Sequence, residues 1–402
     1  MIGLDSFISK YVTLRSTSMF APDIEKEKER IGSRIAGKKI LVIGGAGSIG
    51  SSFIKAVLPF KPKALVVADI NENALAELTR DLRSTKGMYI PQDYLPYPMD
   101  YSSAVFEKMF RSRRGFDIVA NFSAHKHVRS EKDIYSVEAL LRNNVLNAGK
   151  LLDLLSEFPP EMYFCVSTDK AANPVNIMGA SKRIMEDLIF SYSDRFPVKT
   201  ARFANVAFSN GSLPAGFLER IRKLQPLSAP NDTKRYFVSP KESGQICMLA
   251  CILGKNREIF FPKLDKAQMM TFDAIAAALL KENGYEVSEC ASDEEAIGKA
   301  EGLKTGSRQY PVHFSASDTS GEKPFEEFFT EAETVDTERF SSLGVITGKP
   351  VPDRDKLRRL FDRLTAAFDK EDTSKEDITA IIKDYLPNFE HIETGRSLDG
   401  KM

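Results

Sequence analysis

Two short segments, residues 167–170 (Ser-Thr-Asp-Lys) and 178–182 (Met-Gly-Ala-Ser-Lys), hold the side chains best suited to acid–base chemistry. On a helix, Lys182 shares a face with the residue four positions earlier, and its ammonium group would activate a tyrosine there for proton transfer. That position holds Met178, whose thioether exchanges no proton. Either the chain is catalytically inactive, or a neighbouring Asp-Lys pair does the acid–base work.

That pair is Asp169 and Lys170, which follow an apolar run at 163–166. Such a run is typical of a buried parallel strand, and ligands bind at the carboxyl ends of parallel strands. An Asp-Lys pair on a surface is usually only solvated. Its position after a strand, shortly before a helix that bears Lys182, favours a catalytic role for this pair.

The elements that would position these residues alternate along the chain. Short apolar runs separated by amphipathic stretches predict an α/β fold, a Rossmann-like, doubly wound parallel sheet covered by helices. Helices are predicted over 74–83 and 137–155. Strands are predicted at 40–43, 64–68, 118–121, 163–166 and 199–203.

The pattern predicts four parts of the chain. Residues 1–37 form a helical arm, which either packs on the main fold or serves oligomerisation. Residues 38–210 form the nucleotide-binding domain, 211–352 mainly a smaller mixed substrate-binding lobe, and 353–402 a helical extension. Within the lobe, 286–308 are polar without a clear period and are interpreted as a surface insertion.

A glycine-rich segment follows the first predicted strand and leads into a helix. Its glycines permit a tight turn and close approach of the backbone to a pyrophosphate, whose charge the helix amino terminus favours. A second strand ends in Asp69, 19 positions after the last glycine, where a carboxylate binds ribose hydroxyls. These features predict a dinucleotide site formed by Gly44, Gly47, Ser48, Ile49, Gly50 and Asp69.

Asp69 also bears on which dinucleotide binds. Its charge would repel a ribose phosphate, and Ile70-Asn71-Glu72 offer no arginine to neutralise one, so the sequence favours NAD over NADP. Asp100 is a candidate for binding the adenine, although it would serve equally well as a cap for its own loop.

The segment 125–127 (His-Lys-His) follows the strand predicted at 118–121. It is either an ordinary polar loop or a partial metal site, but no third ligand is evident, so no metal is predicted. We interpret Lys126 as a cation that faces a phosphate or a sugar oxygen. Asn144, in a predicted helix, is interpreted as a buried hydrogen-bond anchor behind the site.

Composition restricts the remaining possibilities. The 56 basic and 56 acidic residues balance, which gives no reason to expect binding to nucleic acid or to an anionic membrane. The four cysteines lack ligand spacing with the histidines and are expected to be buried thiols in a reducing cytoplasm. No apolar run approaches the roughly 18 residues of a membrane span, so a cytoplasmic protein is predicted.

Several motifs in order resemble the extended short-chain dehydrogenase/reductase superfamily. More narrowly, the chain is similar to the UDP-N-acetylglucosamine 4,6-dehydratases of polysaccharide biosynthesis, in a branch where methionine likewise replaces the tyrosine. The resemblance covers most of residues 38–390. It rests on the motifs at 44–50, 124–128, 167–171, 173–174, 178–183, 202–206, 234–237 and 321–323 (Gly-Glu-Lys).

The resemblance implies roles for individual residues. Lys182 would hold the nicotinamide ribose, Asp169 would act as acid, Lys170 as base, and Thr168 would hydrogen-bond near the C4 oxygen of the sugar. The implied substrate-binding residues are Lys126, Asn205, Arg235 and Glu322. Two departures from the family pattern are Ala204 in place of a glycine and Thr319-Ser320 in place of Arg-Pro; the second puts one diphosphate or uridine contact in doubt.

The implied activity is NAD-dependent removal of water from a UDP-N-acetylhexosamine by a homo-oligomer. Hydride leaves C4 and returns to C6, while Lys170 removes the C5 proton and Asp169 releases the C6 hydroxyl. A 4-epimerase or sugar reductase is the first alternative, although it would need the missing tyrosine or lack the Asp-Lys pair. A non-catalytic NAD sensor is the second, although it would need only the cofactor-binding half.

Overall fold

One large sheet organises the chain, and the computed structural model describes residues 3–127, 131–317 and 326–392. Within these ranges the sheet contains nine strands: β1 (Lys39–Ile43), β2 (Ala64–Asp69), β3 (Asp93–Pro98), β4 (Ile118–Asn121), β5 (Met162–Val166), β6 (Val198–Ala201), β11 (Glu258–Pro262), β15 (Thr334–Asp336) and β16 (Leu343–Thr347). Their order is β15-β16-β11-β6-β5-β4-β1-β2-β3. The pairs from β3 across to β11 are parallel, and β15 and β16 add antiparallel pairs.

The path of the chain through this sheet is doubly wound. From β1 it moves outward to β2 and β3, then returns to β4 on the other side of β1 and continues to β5 and β6. The direction reverses between β1 and β4, and ligands of such sheets bind outside the carboxyl ends of the strands at this point. The prediction of a Rossmann-like sheet is confirmed. Edge strand β3 was missed because Pro96 and Pro98 interrupt its apolar pattern, and proline is tolerated at a sheet edge.

The central strands are apolar on both faces because helices cover both. Ile40 and Val42 of β1 face one core cluster, whereas Leu41 and Ile43 face the other. Between the amino-terminal arm and residue 253, the described α-helices are α4 (Ser48–Val57), α5 (Glu72–Ser84), α6 (Ala104–Ser112), α7 (Ile134–Leu141), α8 (Asn147–Glu157), α9 (Ile177–Ser191), α10 (Leu213–Arg222) and α11 (Pro240–Leu253).

A smaller lobe surrounds a second, parallel sheet in the order β13-β14-β8, formed by β8 (Leu227–Pro230), β13 (Glu286–Glu289) and β14 (Gln309–Ser315). Its helices include α12 (Phe272–Glu282) and α13 (Asp293–Ala300). Residues 286–308, interpreted as a surface insertion, thus contain a strand and a helix that the sequence did not predict. An edge strand with mostly exposed side chains and a helix that buries Ala296 leave no apolar period to detect.

Short two-stranded pairs connect the lobe to the large sheet. They are formed by β7 (Asn205–Val206) with β10 (Phe237–Val238), and by β9 (Lys234–Arg235) with β12 (Met270–Thr271). Within the predicted lobe range 211–352, β11, β15 and β16 join the large sheet. The four-part division of the chain stays a prediction.

The amino-terminal arm packs along the lobe and α11. It contains α1 (Leu4–Phe7), a π-helical turn (Ile8–Val12), α2 (Ala21–Lys26) and α3 (Lys28–Ile35). Phe7, Ile8 and Val12 enter the apolar cluster of the lobe. The Arg15 guanidinium donates to both carboxylate oxygens of Glu242 on α11, at 3.0 and 2.9 Å. The arm therefore packs on its own chain, as the first of the two readings of the sequence requires.

The carboxyl-terminal helices are α14 (Arg354–Phe368) and α15 (Lys375–Tyr385), in the range 353–402 for which the sequence predicts a helical extension. Their apolar faces share one buried cluster with α7 and α9. No helix in the described part of the chain has the length and apolar character needed to cross a membrane.

Candidate active site

Glycines shape the turn between β1 and α4. Gly44 has a positive φ of 69°, and a Cβ there would lie 2.6 Å from the backbone nitrogen of Ser123. A Cβ on Gly50 would lie 2.4 Å from the Gly44 carbonyl oxygen, so only glycine lets α4 sit this close to the turn. Gly47 precedes the helix, and the nearest atom to a Cβ there would be that same carbonyl oxygen, at 3.4 Å. The helix amino terminus therefore offers backbone N–H groups to an anion.

Asp69 lies beside this turn at the end of β2. Its Oδ2 accepts a hydrogen bond from the Ala46 backbone N–H at 3.0 Å, and its Oδ1 accepts from Asn71 N–H at 2.9 Å. Ser48 begins α4 and accepts a hydrogen bond from Asn210 N–H at 2.9 Å, while Ile49 packs against the core. The residues predicted to form the dinucleotide site are therefore brought together. The turn and the helix amino terminus suit a pyrophosphate, and the adjacent Asp69 carboxylate suits the hydroxyls of a ribose.

Asp100 serves its own loop. It is exposed, and its Oδ1 accepts hydrogen bonds from the backbone N–H and hydroxyl of Ser102, at 2.8 and 2.9 Å. This is the loop-capping arrangement that the sequence left open beside adenine binding.

The catalytic candidates lie where β5 ends. Thr168 caps a short 3₁₀ turn (Asp169–Ala171), and its hydroxyl donates to Asp169 Oδ1 at 2.6 Å. The Lys170 ammonium lies 3.4 Å from Asp169 Oδ2, and the Asp169 side chain is only 8% exposed against 28% for Lys170. A hydroxyl, a carboxylate and an amine therefore share one contact network at the carboxyl end of a strand.

Lys182 and Met178 lie one turn apart on α9, both buried. The Lys182 ammonium donates to the Val166 carbonyl oxygen at 3.0 Å, and burial lowers the pKa of this lysine. Met178 belongs to the apolar cluster of α7, α9 and the carboxyl-terminal helices. The structure thus places an apolar side chain where a proton-transferring phenol would stand.

Glu131 and the close approach of Gly179 fix the start of α9 against the turn at Asp169–Ala171. The Glu131 carboxylate accepts from the backbone N–H groups of Ile177 and Met178, at 3.0 and 2.8 Å. Gly179 packs so closely that a Cβ there would lie 2.7 Å from the Lys170 carbonyl oxygen. Sequence reasoning missed Glu131, because a carboxylate that caps a helix 46 residues later leaves no local pattern.

Asn144 hydrogen-bonds to the backbone of His125, in the loop that carries Lys126. This amide accepts from His125 N–H at 2.9 Å and donates to the His125 carbonyl at 2.9 Å and to the Ser181 hydroxyl at 3.0 Å. The interpretation of Asn144 as a buried anchor is confirmed. It lies in a π-helical turn (Arg142–Leu146), a feature frequent at functional sites. Lys126 itself is exposed.

Two of the predicted substrate-binding residues meet at a third residue that the sequence did not single out. Glu326 Oε1 accepts from Asn205 Nδ2 at 2.7 Å and lies 4.0 Å from Arg235 Nε. Burial, and next the negative charge of Asp169, raise the pKa of Glu326 to about 7, against the opposing charges of Arg235 and Lys170. The only sequence feature that pointed to Glu326 was its position shortly after the Gly-Glu-Lys motif at 321–323. Glu322 of that motif and Thr319-Ser320 lie outside the described residues.

A buried ion network lies next to the turn at Asp169–Ala171. The Arg202 guanidinium is fully buried between Glu186 on α9, at 2.6 Å, and Glu333, at 2.9 Å. The hydroxyl of Ser167, next to Thr168, donates to Glu186 at 2.6 Å. Burial alone would raise the pKa of Glu186, but the Arg202 cation outweighs it and holds that pKa below its usual range. The network therefore connects β5, β6 and α9 to the segment that follows Glu326.

Comparison with known proteins identifies one matching family profile, described as "polysaccharide biosynthesis protein", over residues 40–347. The uncharacterized membrane protein MJ1061 of Methanocaldococcus jannaschii is 29% identical over 86% of this chain and 96% of its own length. The inverting UDP-N-acetylglucosamine 4,6-dehydratase of Campylobacter jejuni strain 81-176 is 24% identical, with 74% of this chain and 84% of that protein covered.

A third relative is considerably longer. The probable polysaccharide biosynthesis protein EpsC of Bacillus subtilis is 27% identical over 74% of this chain. The match covers 48% of EpsC, so the chain spans about half the length of that protein.

Solved structures of similar fold come from several organisms. Pen of Bacillus thuringiensis has a TM-score of 0.62 at 20% identity, with 82% of this chain and 98% of that chain covered. The dTDP-glucose 4,6-dehydratase DesIV of Streptomyces venezuelae, solved with NAD bound, has a TM-score of 0.53 at 20% identity (72% and 88% covered). The UDP-N-acetylglucosamine 4-epimerase of Methanobrevibacter ruminantium has a TM-score of 0.54 at 15% identity (83% and 99% covered). These similarities establish the fold, and DesIV carries the cofactor that the sequence predicts.

Proposed function

Because this chain belongs to the polysaccharide biosynthesis protein family, we propose that it is an NAD-dependent 4,6-dehydratase of a UDP-N-acetylhexosamine. The preferred substrate is UDP-N-acetylglucosamine, and the product is a UDP-2-acetamido-2,6-dideoxy-hexos-4-ulose. The observation that carries the proposal is the contact network of Thr168, Asp169 and Lys170 at the carboxyl end of β5. An epimerase or a sensor has no use for an acid and a base beside each other at this point.

The cofactor site follows from the turn after β1. The backbone N–H groups at the start of α4 would hold the pyrophosphate, Asp69 the adenosine ribose, and Lys182 the nicotinamide ribose. When bound, NAD would supply the hydride acceptor for sugar C4 and the hydride donor for C6. The Lys182 ammonium donates to the Val166 carbonyl oxygen and has further N–H groups that would donate to a ribose hydroxyl.

The acid–base steps are assigned to this chain's own side chains. The C4 hydroxyl gives its proton through the Thr168 hydroxyl to Asp169, along the 2.6 Å hydrogen bond between them. Lys170, in its neutral form, takes the C5 proton, which the C4 ketone acidifies. Asp169 then gives its proton to the departing C6 hydroxyl, which leaves as water. Lys170 returns its proton to C5 as hydride arrives at C6, so protons and electrons balance.

A proton NMR spectrum tests the proposed function directly. Incubation of the purified protein with UDP-N-acetylglucosamine is expected to give a new C6 methyl signal, because only dehydration converts the C6 hydroxymethyl group into a methyl group. A 4-epimerase would produce a new anomeric signal without a methyl signal. Bound NAD with an unchanged sugar spectrum would indicate a sensor.

Cofactor identity is the second expected result. Protein purified without added cofactor is expected to release NAD and not NADP on denaturation, because the Asp69 carboxylate accepts ribose hydroxyls and repels a phosphate. Chromatography of the released nucleotide measures this. Asp69→Ala should lose most of the NAD, whereas Glu72→Gln, an exposed carboxyl three positions later, should retain it. Recovery of mainly NADP would contradict the assignment.

Met178→Leu is expected to retain most of the turnover. If Asp169 has taken over the proton of the C4 hydroxyl, Met178 only packs beside the nicotinamide, and an apolar substitution of similar volume costs less than about 1.5 kcal/mol. Steady-state rates with matched NAD content measure the effect. A thousand-fold loss with normal NAD binding would show that the methionine has a chemical role beyond packing.

A further inference from the structure

Glu326 is a buried carboxyl group in the candidate site that no proposed step uses. Its side chain is only 2% exposed, and both of its oxygens are engaged: Oε1 by Asn205 Nδ2 at 2.7 Å, Oε2 by Tyr236 N–H at 3.1 Å. Arg235 Nε lies 4.0 Å from Oε1. A carboxylate thus accepts from Asn205 and lies near Arg235, two side chains that the family resemblance implies for substrate binding, and the Arg235 guanidinium suits the diphosphate of a nucleotide sugar.

The backbone that carries Glu326 is fixed. The Phe328 carbonyl accepts from the buried Arg202 guanidinium at 3.0 Å, and the Phe328 ring stacks on Phe261 with centroids 6.0 Å apart. Glu333, five residues later, is bound by Arg202 and by Lys349, at 2.9 and 2.6 Å. A movement of this segment would break the buried network, so Glu326 would leave Asn205 and Arg235 by rotation of its own side chain.

The charged and titratable groups facing Glu326 come from the turn after β5 and from β9 with the residue that follows it. Within the described residues they are Asp169 and Lys170 on the turn after β5, Arg235 on β9, and the phenol of Tyr236 that follows it. Burial and Asp169 raise the pKa of Glu326 to about 7, against the opposing effects of Arg235, the Tyr236 N–H and Lys170. The carboxyl group therefore changes its protonation within the ordinary working range of an enzyme.

A bound nucleotide diphosphate would bring two further negative charges to Asn205 and Arg235. An ionised Glu326 and the diphosphate would then both lie beside the Arg235 guanidinium. Because the site is buried, the repulsion between these two negative groups is weakly screened. We propose that Glu326 holds Asn205 and Arg235 in place while the site is empty, and takes up a proton when the diphosphate of a nucleotide sugar replaces it on them. This inference rests on the proposed function, and it adds a proton-linked positioning residue to the same site.

The direction of the pH dependence follows from this linkage. Below about pH 7 Glu326 is already protonated in the empty site, and binding takes up no proton. Above that pH the empty site is ionised and the occupied site is protonated, so binding takes up to one proton and affinity falls as pH rises, by up to about tenfold per pH unit. Glutamine has one acceptor and one donor end, like a protonated carboxyl group, and so imitates the bound state.

Calorimetric titration of the NAD-loaded protein with UDP, in two buffers of different ionisation enthalpy, measures the proton uptake. The wild type is expected to take up a substantial fraction of one proton at about pH 8, and to lose about fivefold in UDP affinity between pH 7 and 8. Glu326→Gln should show little uptake beyond that of UDP itself, which is common to both proteins, and should bind UDP more tightly than the wild type at about pH 8. Glu327→Gln, the same change at the neighbouring residue that accepts from Asn173, should behave as the wild type.

The outcomes separate this inference from the proposed function. If UDP binds with no proton uptake by the wild type, or if Glu326→Gln takes up the same fraction, the role of Glu326 is overturned while the dehydratase proposal stands. If neither UDP binding nor the C6 methyl signal is found, both fail together. The wild-type measurement needs no variant, so the test does not depend on the folding of Glu326→Gln.

Discussion

Lys170→Ala and Asp169→Asn are each expected to reduce dehydration by about 100- to 10,000-fold, the usual contribution of a general acid or base. Asp169 is buried and accepts from Thr168, whereas Lys170 is more exposed and lies 3.4 Å from that carboxylate. The two losses should differ in kind. Without Asp169 the C4 hydroxyl keeps its proton and oxidation slows, whereas without Lys170 oxidation proceeds and elimination stops.

The absorbance of reduced nicotinamide after mixing with substrate distinguishes the two variants. Reduced nicotinamide should accumulate in Lys170→Ala and not in Asp169→Asn. Lys108→Ala and Asp362→Asn, which change exposed residues of α6 and α14, are matched controls and should turn over as the wild type. Near-normal turnover in Lys170→Ala or Asp169→Asn would remove that residue from the mechanism.

Arg202→Met is expected to lower the free energy of unfolding by about 3 to 5 kcal/mol, because removing one partner of a buried ion pair leaves buried charge that is no longer compensated. Here two carboxylates, Glu186 and Glu333, would lose their shared cation. Denaturant unfolding followed by circular dichroism measures the change. The matched control is Arg222→Met on α10, whose pair with Glu219 is 73% and 51% exposed and should be worth about 0 to 1 kcal/mol. Equal losses in both variants would contradict the assigned role of the buried network.

Glu333 gives this stability a pH dependence. Burial alone would raise its pKa, but Arg202 and Lys349 lower it from 4.5 to about 2. A carboxyl group with a depressed pKa in the folded state contributes stability above its unfolded pKa, and the contribution disappears as pH falls from about 4.5 toward 2. The wild type should therefore lose more stability over this interval than Arg202→Met does.

The sequence predicted the cofactor half of the site because its signals are local. The turn from β1 into α4 and the carboxylate that ends β2 lie within one βαβ unit, where each residue's role follows from its neighbours. The turn from Thr168 to Lys170 was identified for the same reason, since it directly follows a strand.

The substrate half could not be predicted to the same extent. Glu326 meets Asn205 across 121 positions and Tyr236 across 90, and such pairings leave no period or spacing in the chain. Arg202 was included only as part of a family motif, and its contact with Glu333 spans 131 positions. Burial of a charged residue depends on partners that come from other elements, which a local pattern does not contain.

The order of strands in the large sheet implies an order of assembly during synthesis. Strands β1 to β6 are complete by residue 201, whereas β15 and β16 join the opposite edge from residues 334–347. Because synthesis proceeds from the amino terminus, the residues of the nucleotide pocket all leave the ribosome before Glu326 is made. Closing the loop from Asn205 to Glu326 is then a late step, and the contact that completes the sugar half of the site forms only after the cofactor half has been synthesised.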